Sequence, residues 1–151
     1  MKGFTLIETV LVLLILALMM SLVAPRVLSF QRSGSLRNAA EEVVDILRLS
    51  QSRSYSSFRS SVWSVSFEPD QFILFKGTDF EERTEDYDHI YKLPGSVEFG
   101  ETTLPNGIVS FEKLDGKTDS TGFIELKEAD GGNVKSVCVT EYIIKLCDNV
   151  D

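Results

Sequence analysis

The feature that most constrains this chain is its start, MKGFTLIETVLVLLILALMMSLVAPRV. From Thr9 to Pro25 run seventeen residues without a charge. As a helix rising 1.5 Å per residue the run spans roughly 26 Å, or roughly 33 Å from Phe4. The hydrocarbon layer of a bilayer is about 30 Å thick, so the length is that of a membrane span. A helix buried in a soluble core does not need so continuous a run. Glu8 is the exception inside it. A carboxylate in hydrocarbon is costly, and an ionisable group at such a position is a functional candidate by default.

Two simpler readings leave residues unexplained. A cleaved secretory signal peptide would be cut after Ala24, but Leu22 stands where a small residue is expected and Pro25 follows the cut. Its basic region would be Lys2 alone, with Glu8 inside its apolar core. A plain N-terminal anchor accounts for the length and leaves Glu8 and the Gly3-Phe4 pair without a role. Its orientation is also ambiguous, because Lys2 precedes the run while Arg26 and Arg32 follow it.

The remaining chain has room for one globular head. Charge is unevenly divided: residues 1–60 hold seven Lys/Arg against four Asp/Glu, residues 61–151 eight against nineteen. An acidic head lacks the clustered cations that phosphate contact requires, so no nucleic-acid partner is expected. Cys138 and Cys147 are the two cysteines. If the head is exported they are free to form a disulfide; two half-buried thiols on strands fit the sequence equally well.

Beyond Pro25, which should kink or loosen the helix by its missing N–H, the pattern becomes amphipathic. Gly34 adds a second soft point. Leu36, Ala40, Val43, Leu47 and, further on, Tyr55 and Phe58 recur at helical spacing. Arg37 and Glu41 form an i,i+4 pair on the solvated face. The serines from Ser50 to Ser61 should end the helix near residue 58. Arg48, Arg53 and Arg59 read as solvated, with DNA or lipid headgroups as the alternative contact.

From residue 62 the period changes to alternation. VWSVSFEPDQFILF reads as two strands joined at Glu68–Gln71, with Trp63, Val65 and Phe67 on the apolar face. HIYKLP, SVEFG, GIVSFEK, GFIELKE, VKSVCVT and YIIKLC follow as further strands, separated by the turn signals Pro94-Gly95, Pro105-Asn106-Gly107, Asp115-Gly116 and Asp130-Gly131-Gly132. A long helix followed by short hairpins predicts an α+β fold, an N-terminal transmembrane and amphipathic helix packed on an antiparallel β-sheet head.

KGFTLIE at positions 2–8, the apolar run and Pro25 together resemble the type IV pilin and type II secretion pseudopilin family. The stalk around Leu47, Arg48, Ser50 and Arg53, with the closing GFIELKEADGGNVKSVCVTEYIIKLC, is most similar to the H-type minor pseudopilins. Thr140-Glu141-Tyr142 stands where those relatives often have Gly-Arg. The resemblance implies a leader at 1–3, a transmembrane assembly helix at 4–25, a stalk helix at 26–60 and a periplasmic head at 61–151. It implies cleavage after Gly3 by a prepilin peptidase and N-methylation of Phe4. It also implies that Glu8 pairs with the Phe4 amine of a neighbouring subunit. The expected partners are that peptidase, other pseudopilins in a filament and the inner-membrane secretion platform. The expected location is the inner membrane, single-pass. A minor type IV pilin that primes pili or aids DNA uptake is the alternative within the family.

No nucleophile motif, phosphate-cradling loop or CxxC pair is present, so neither an enzyme nor a cofactor is expected. The acidic run DFEERTEDYDH, Asp79 to His89, offers oxygen ligands, but its spacing fits no EF-hand. It reads as a solvated, mobile loop. His89 is the sole histidine, so no histidine-based metal cluster is possible.

Overall fold

The computed structural model describes Gly3 and residues 5–147, with the side chains of residues 21–32 outside the described set. The chain divides into two compact units, Met1–Gly34 and Ser35–Asp151. The helix α1 (Leu6–Tyr55) belongs to both. Helix assignment runs through Pro25, whose side chain lies outside the described residues.

In the second unit, α1 turns one stripe into the core. Leu36, Ala39, Ala40, Val43, Val44 and Leu47 are buried at three- and four-residue spacing. The stripe continues through Ser50 and Ser54, both fully buried. Tyr55 and Phe58, expected on it, are instead 63% and 46% exposed. The reason is local. Ser54 is small enough for the sheet to come close, and its hydroxyl accepts from the Trp63 N–H (2.8 Å) and donates to the Trp63 carbonyl (3.3 Å). That exchange closes the ladder where the next strand begins. The helix stops at Tyr55, earlier than expected, and Ser57 takes a left-handed conformation (φ 51°) just beyond it.

Eight strands follow. They are β1 (Trp63–Glu68), β2 (Gln71–Lys76), β3 (His89–Lys92), β4 (Val97–Thr102), β5 (Ile108–Phe111), β6 (Gly122–Glu128), β7 (Val134–Val139) and β8 (Ile144–Cys147). The alternating segments of the sequence thus become strands. They form two four-stranded antiparallel sheets, ordered β3-β2-β1-β5 and β4-β6-β7-β8, rather than a single one. After β3 the chain passes through Pro94, which has no N–H to extend a ladder. β4 then pairs with β6 in the other sheet. Both sheets send side chains to one core with the helix stripe: Trp63, Val65, Phe72, Leu74, Val109 and Phe111 from the first, Val97, Ile124, Leu126, Val137, Val139 and Ile144 from the second.

The other face of the first sheet is also covered. Ser64, Ser66, Ile73 and Phe75 are buried there. Phe80 packs edge-on against Phe75, ring centres 5.3 Å apart. Arg83 stacks over Phe80 at 3.7 Å and pairs with Asp88 at 2.7 Å. The acidic run is therefore pinned rather than simply solvated: one aromatic ring within it finds an apolar site, and one arginine ties its two ends.

Leu47→Ala should destabilise the head by about 3 kcal/mol through lost burial and a residual cavity. Tyr55→Ala should change it by less than about 0.5 kcal/mol. Urea denaturation of the full chain in neutral detergent measures both.

Candidate functional site

In the N-terminal unit, Gly3 is exposed and Phe4 lies outside the described residues. α1 begins at Leu6, and Glu8 sits in its first turn, where a negative charge complements the positive end of the helix dipole. The Glu8 N–H donates to the Thr5 carbonyl (3.1 Å), and the Thr9 hydroxyl to the Leu6 carbonyl (2.8 Å). The Glu8 side chain is exposed and, among the described residues, has no ion-pair partner. Leu6, Val10, Leu14, Leu18 and their neighbours are exposed on every side of the helix, Leu6 by 82%. A helix apolar all round is built for burial in something else. Among the described residues no helix is long and apolar enough to cross a membrane; part of the apolar run lies among the residues whose side chains are outside that set.

In the head, three elements converge on the C-terminal end of α1. Gln51 Nε2 donates to the carbonyls of Gly116 (2.9 Å) and Tyr142 (3.2 Å), and Arg48 Nη2 to the carbonyl of Ile144 (3.0 Å). The Leu114 N–H donates to the Ser54 carbonyl (3.2 Å), satisfying an acceptor that the helix end leaves free. Gly116, at φ 71°, lies where an added Cβ would meet Gln51 and Tyr55 at 3.4 Å. Arg48, expected to be solvated, is a tie between helix and strand.

Cys138 on β7 and Cys147 on β8 are joined by a disulfide, their Cα atoms 5.9 Å apart. The register sets Cys138 opposite Lys145 and Ser136 opposite Cys147, so the bridge runs diagonally across the strand pair. It fastens the last strand of the second sheet, which has a partner on one side only. A hydrogen bond to Glu141, then attraction by Glu141 and Asp119, raises the Lys117 ammonium above its ordinary pKa. A hydrogen bond to Asp88 does the same for Arg83.

The grooves of the head are lined by dispersed groups. One between α1 and β8 carries Glu41, Asp45, Arg48 and Lys145; another near β5 carries Val62, Thr78, Ser110 and Asp119. Among the described residues no cluster of three or more His, Cys, Asp or Glu is placed to hold a metal ion.

Arg53 and Arg59 are where a reading from sequence missed most. Neither is merely solvated: Arg53 stacks over Trp63 at 4.5 Å, and Arg59 over Tyr87 at 4.9 Å. The available signal was the alternation of arginine and aromatic residues along Arg53, Phe58, Arg59 and Trp63.

A helix whose C-terminal part packs into a head of two antiparallel sheets is a pseudopilin-like fold. Among solved structures it resembles the minor pseudopilin EpsH from the type 2 secretion system of Vibrio cholerae, with a TM-score of 0.57 and 10% identity, over 75% of this chain and 96% of that one. No protein-family model and no curated protein sequence matches the chain.

Replacing Cys138 and Cys147 together by Ser should lower head stability by about 2–3 kcal/mol, the loop-closure contribution of so short a bridge. Chemical denaturation checks this: reductant should reproduce the loss in the wild type and leave the double variant unchanged.

Proposed function

We propose that this chain is a structural assembly subunit, a minor pseudopilin of a type II secretion machine, acting near the tip of its pseudopilus to support protein export. One observation carries the reading: a pseudopilin-like head follows a helix that is apolar on every side and bears a lone carboxylate in its first turn. The head contributes shape and contacts, and no reaction is assigned to it.

In this reading a prepilin peptidase cuts after Gly3 and methylates the new amine of Phe4. The apolar helix holds the subunit in the inner membrane, with the head in the periplasm. An oxidising compartment suits the Cys138–Cys147 bridge. Glu8 then stands one helical turn from the charged amine in sequence. A carboxylate lowered into hydrocarbon without a partner is strongly unfavourable, by several kcal/mol. The cation on a neighbouring subunit's Phe4 relieves that cost, so pairing favours the assembled state and fixes axial register. Other pseudopilins and the inner-membrane platform are the partners. The acidity of residues 61–151 favours secretion over DNA uptake within the same family.

Intact-mass measurement of the mature protein should give a chain beginning at N-methylated Phe4. Trimming beyond the apolar run, or none, contradicts the reading. Glu8→Leu should leave the folded head unchanged and lower incorporation into pseudopili by about tenfold or more, the loss of at least ~1.4 kcal/mol of pairing. Cross-linking followed by filament shearing measures it, and incorporation equal to wild type contradicts the pairing.

A further inference from the structure

A basic ladder crosses this acidic head beside the end of α1. Arg53 lies over the rings of Trp63 (4.5 Å) and Phe58 (5.7 Å). Arg59 lies over Phe58 (5.6 Å) and Tyr87 (4.9 Å), and Lys76 over Tyr87 (5.0 Å). Two guanidinium groups thus share Phe58, and an arginine and a lysine share Tyr87. Among the described residues none of the three cations has a carboxylate within ion-pair distance. Glu85 and Asp86 precede Tyr87 in sequence and Asp88 follows it; neither of the first two pairs with the ladder, and Asp88 pairs with Arg83. Arg53 Nη1 is buried without a hydrogen-bond partner.

This arrangement is costly as it stands. Ring faces orient the cations but do not neutralise them, and like charges gathered around shared rings repel. The backbone adds strain: Ser57, Arg59 and Ser60 all have φ between 51° and 55°, a region that non-glycine residues rarely occupy. Such strain persists where surrounding bonds over-determine it and concentrates at binding sites. Here the Trp63 indole N–H holds the Phe58 carbonyl (3.1 Å) and the Lys113 ammonium holds the Ser60 carbonyl (3.3 Å). Lys113 thereby brings a fourth cation to the same loop.

We propose that this ladder is a docking site for a short carboxylate-rich segment of a partner protein. A guanidinium lying on an aromatic face keeps N–H edges for charge-assisted bonds to carboxylates; the exposed Arg59, whose Nη1 also donates to the Tyr87 hydroxyl (3.4 Å), and the half-buried Lys76 offer such donors, while Arg53 Nη1 is buried. A short acidic segment fits better than nucleic acid. The favourable field is local, four cations within a part of the chain (residues 53–151) whose carboxylates outnumber its cations, and a long polyanion would meet that excess negative charge. The proposal stands apart from the assembly reading, since it involves neither Phe4 nor Glu8.

The test is fluorescence anisotropy of fluorescein-labelled hexaglutamate titrated with the full chain in neutral detergent. Saturable binding that weakens as salt is raised to about 0.5 M is expected. Arg59→Gln and Lys76→Gln should each weaken it by about fivefold to tenfold, while Lys135→Gln, on β7, should not. Arg53→Gln also removes packing on Trp63, so the decisive variants are the other two. The proposal is overturned by no saturable binding, by binding unchanged in both decisive variants, or by a single-stranded oligonucleotide binding more tightly than hexaglutamate.

Discussion

Burial of the α1 stripe in a core shared with both sheets is the constraint on which the head depends. Leu36 to Leu47 supply its apolar volume, and Ser50 and Ser54 supply close approach instead of bulk. Fully burying one leucine-sized side chain stabilises by about 1.5–3 kcal/mol, a large share of the net stability typical of a small domain. The Ser54–Trp63 exchange then links the end of the helix to the first strand, and Trp63 pairs with both Lys76 and Phe111. The helix terminus is thereby tied to the strand that pairs with both β2 and β5.

The same stripe explains the division of labour along α1. In its head portion apolar residues occupy one face, with charges such as Arg37 and Glu41 on the other, paired at 2.8 Å. From Leu6 to Met20 they surround the helix and are exposed. A helix of the first kind is satisfied by its own chain; one of the second kind requires an external apolar environment. In the proposed reading Glu8 makes that requirement specific, because an apolar surrounding alone would leave its charge unmet. In that reading, stability of the head and the capacity to assemble belong to different stretches of one element.

Much of this was legible in the sequence because it is local. Alternation and turn residues such as Pro94-Gly95 and Asp130-Gly131-Gly132 mark the strands, and three- and four-residue spacing marks the stripe through Leu47. What alternation does not encode is which strand pairs with which, so the partition into two sheets was not visible. Ser64 and Ser66, on the face opposite Trp63, Val65 and Phe67, are buried as well; on that side Phe80, from a distant acidic run, packs on Phe75. Tyr55 and Phe58 fit the helical period but lost the core to smaller serines, since hydrophobicity does not report how closely a sheet approaches. The arginines were misread for a similar reason: whether a guanidinium meets water, a carbonyl or a ring depends on residues far away in the chain. Glu8 stands out in the sequence as an acid in an apolar run, and its role in assembly is a proposal.

Native-state hydrogen exchange on the full chain in neutral detergent tests most directly whether the stripe and the two sheets form one cooperative core. Amides of residues 36–54 should exchange together with those of β1 and β6, only through global opening. Exchange of that helical segment well ahead of both strands would show that the head holds together without it, and would contradict the account.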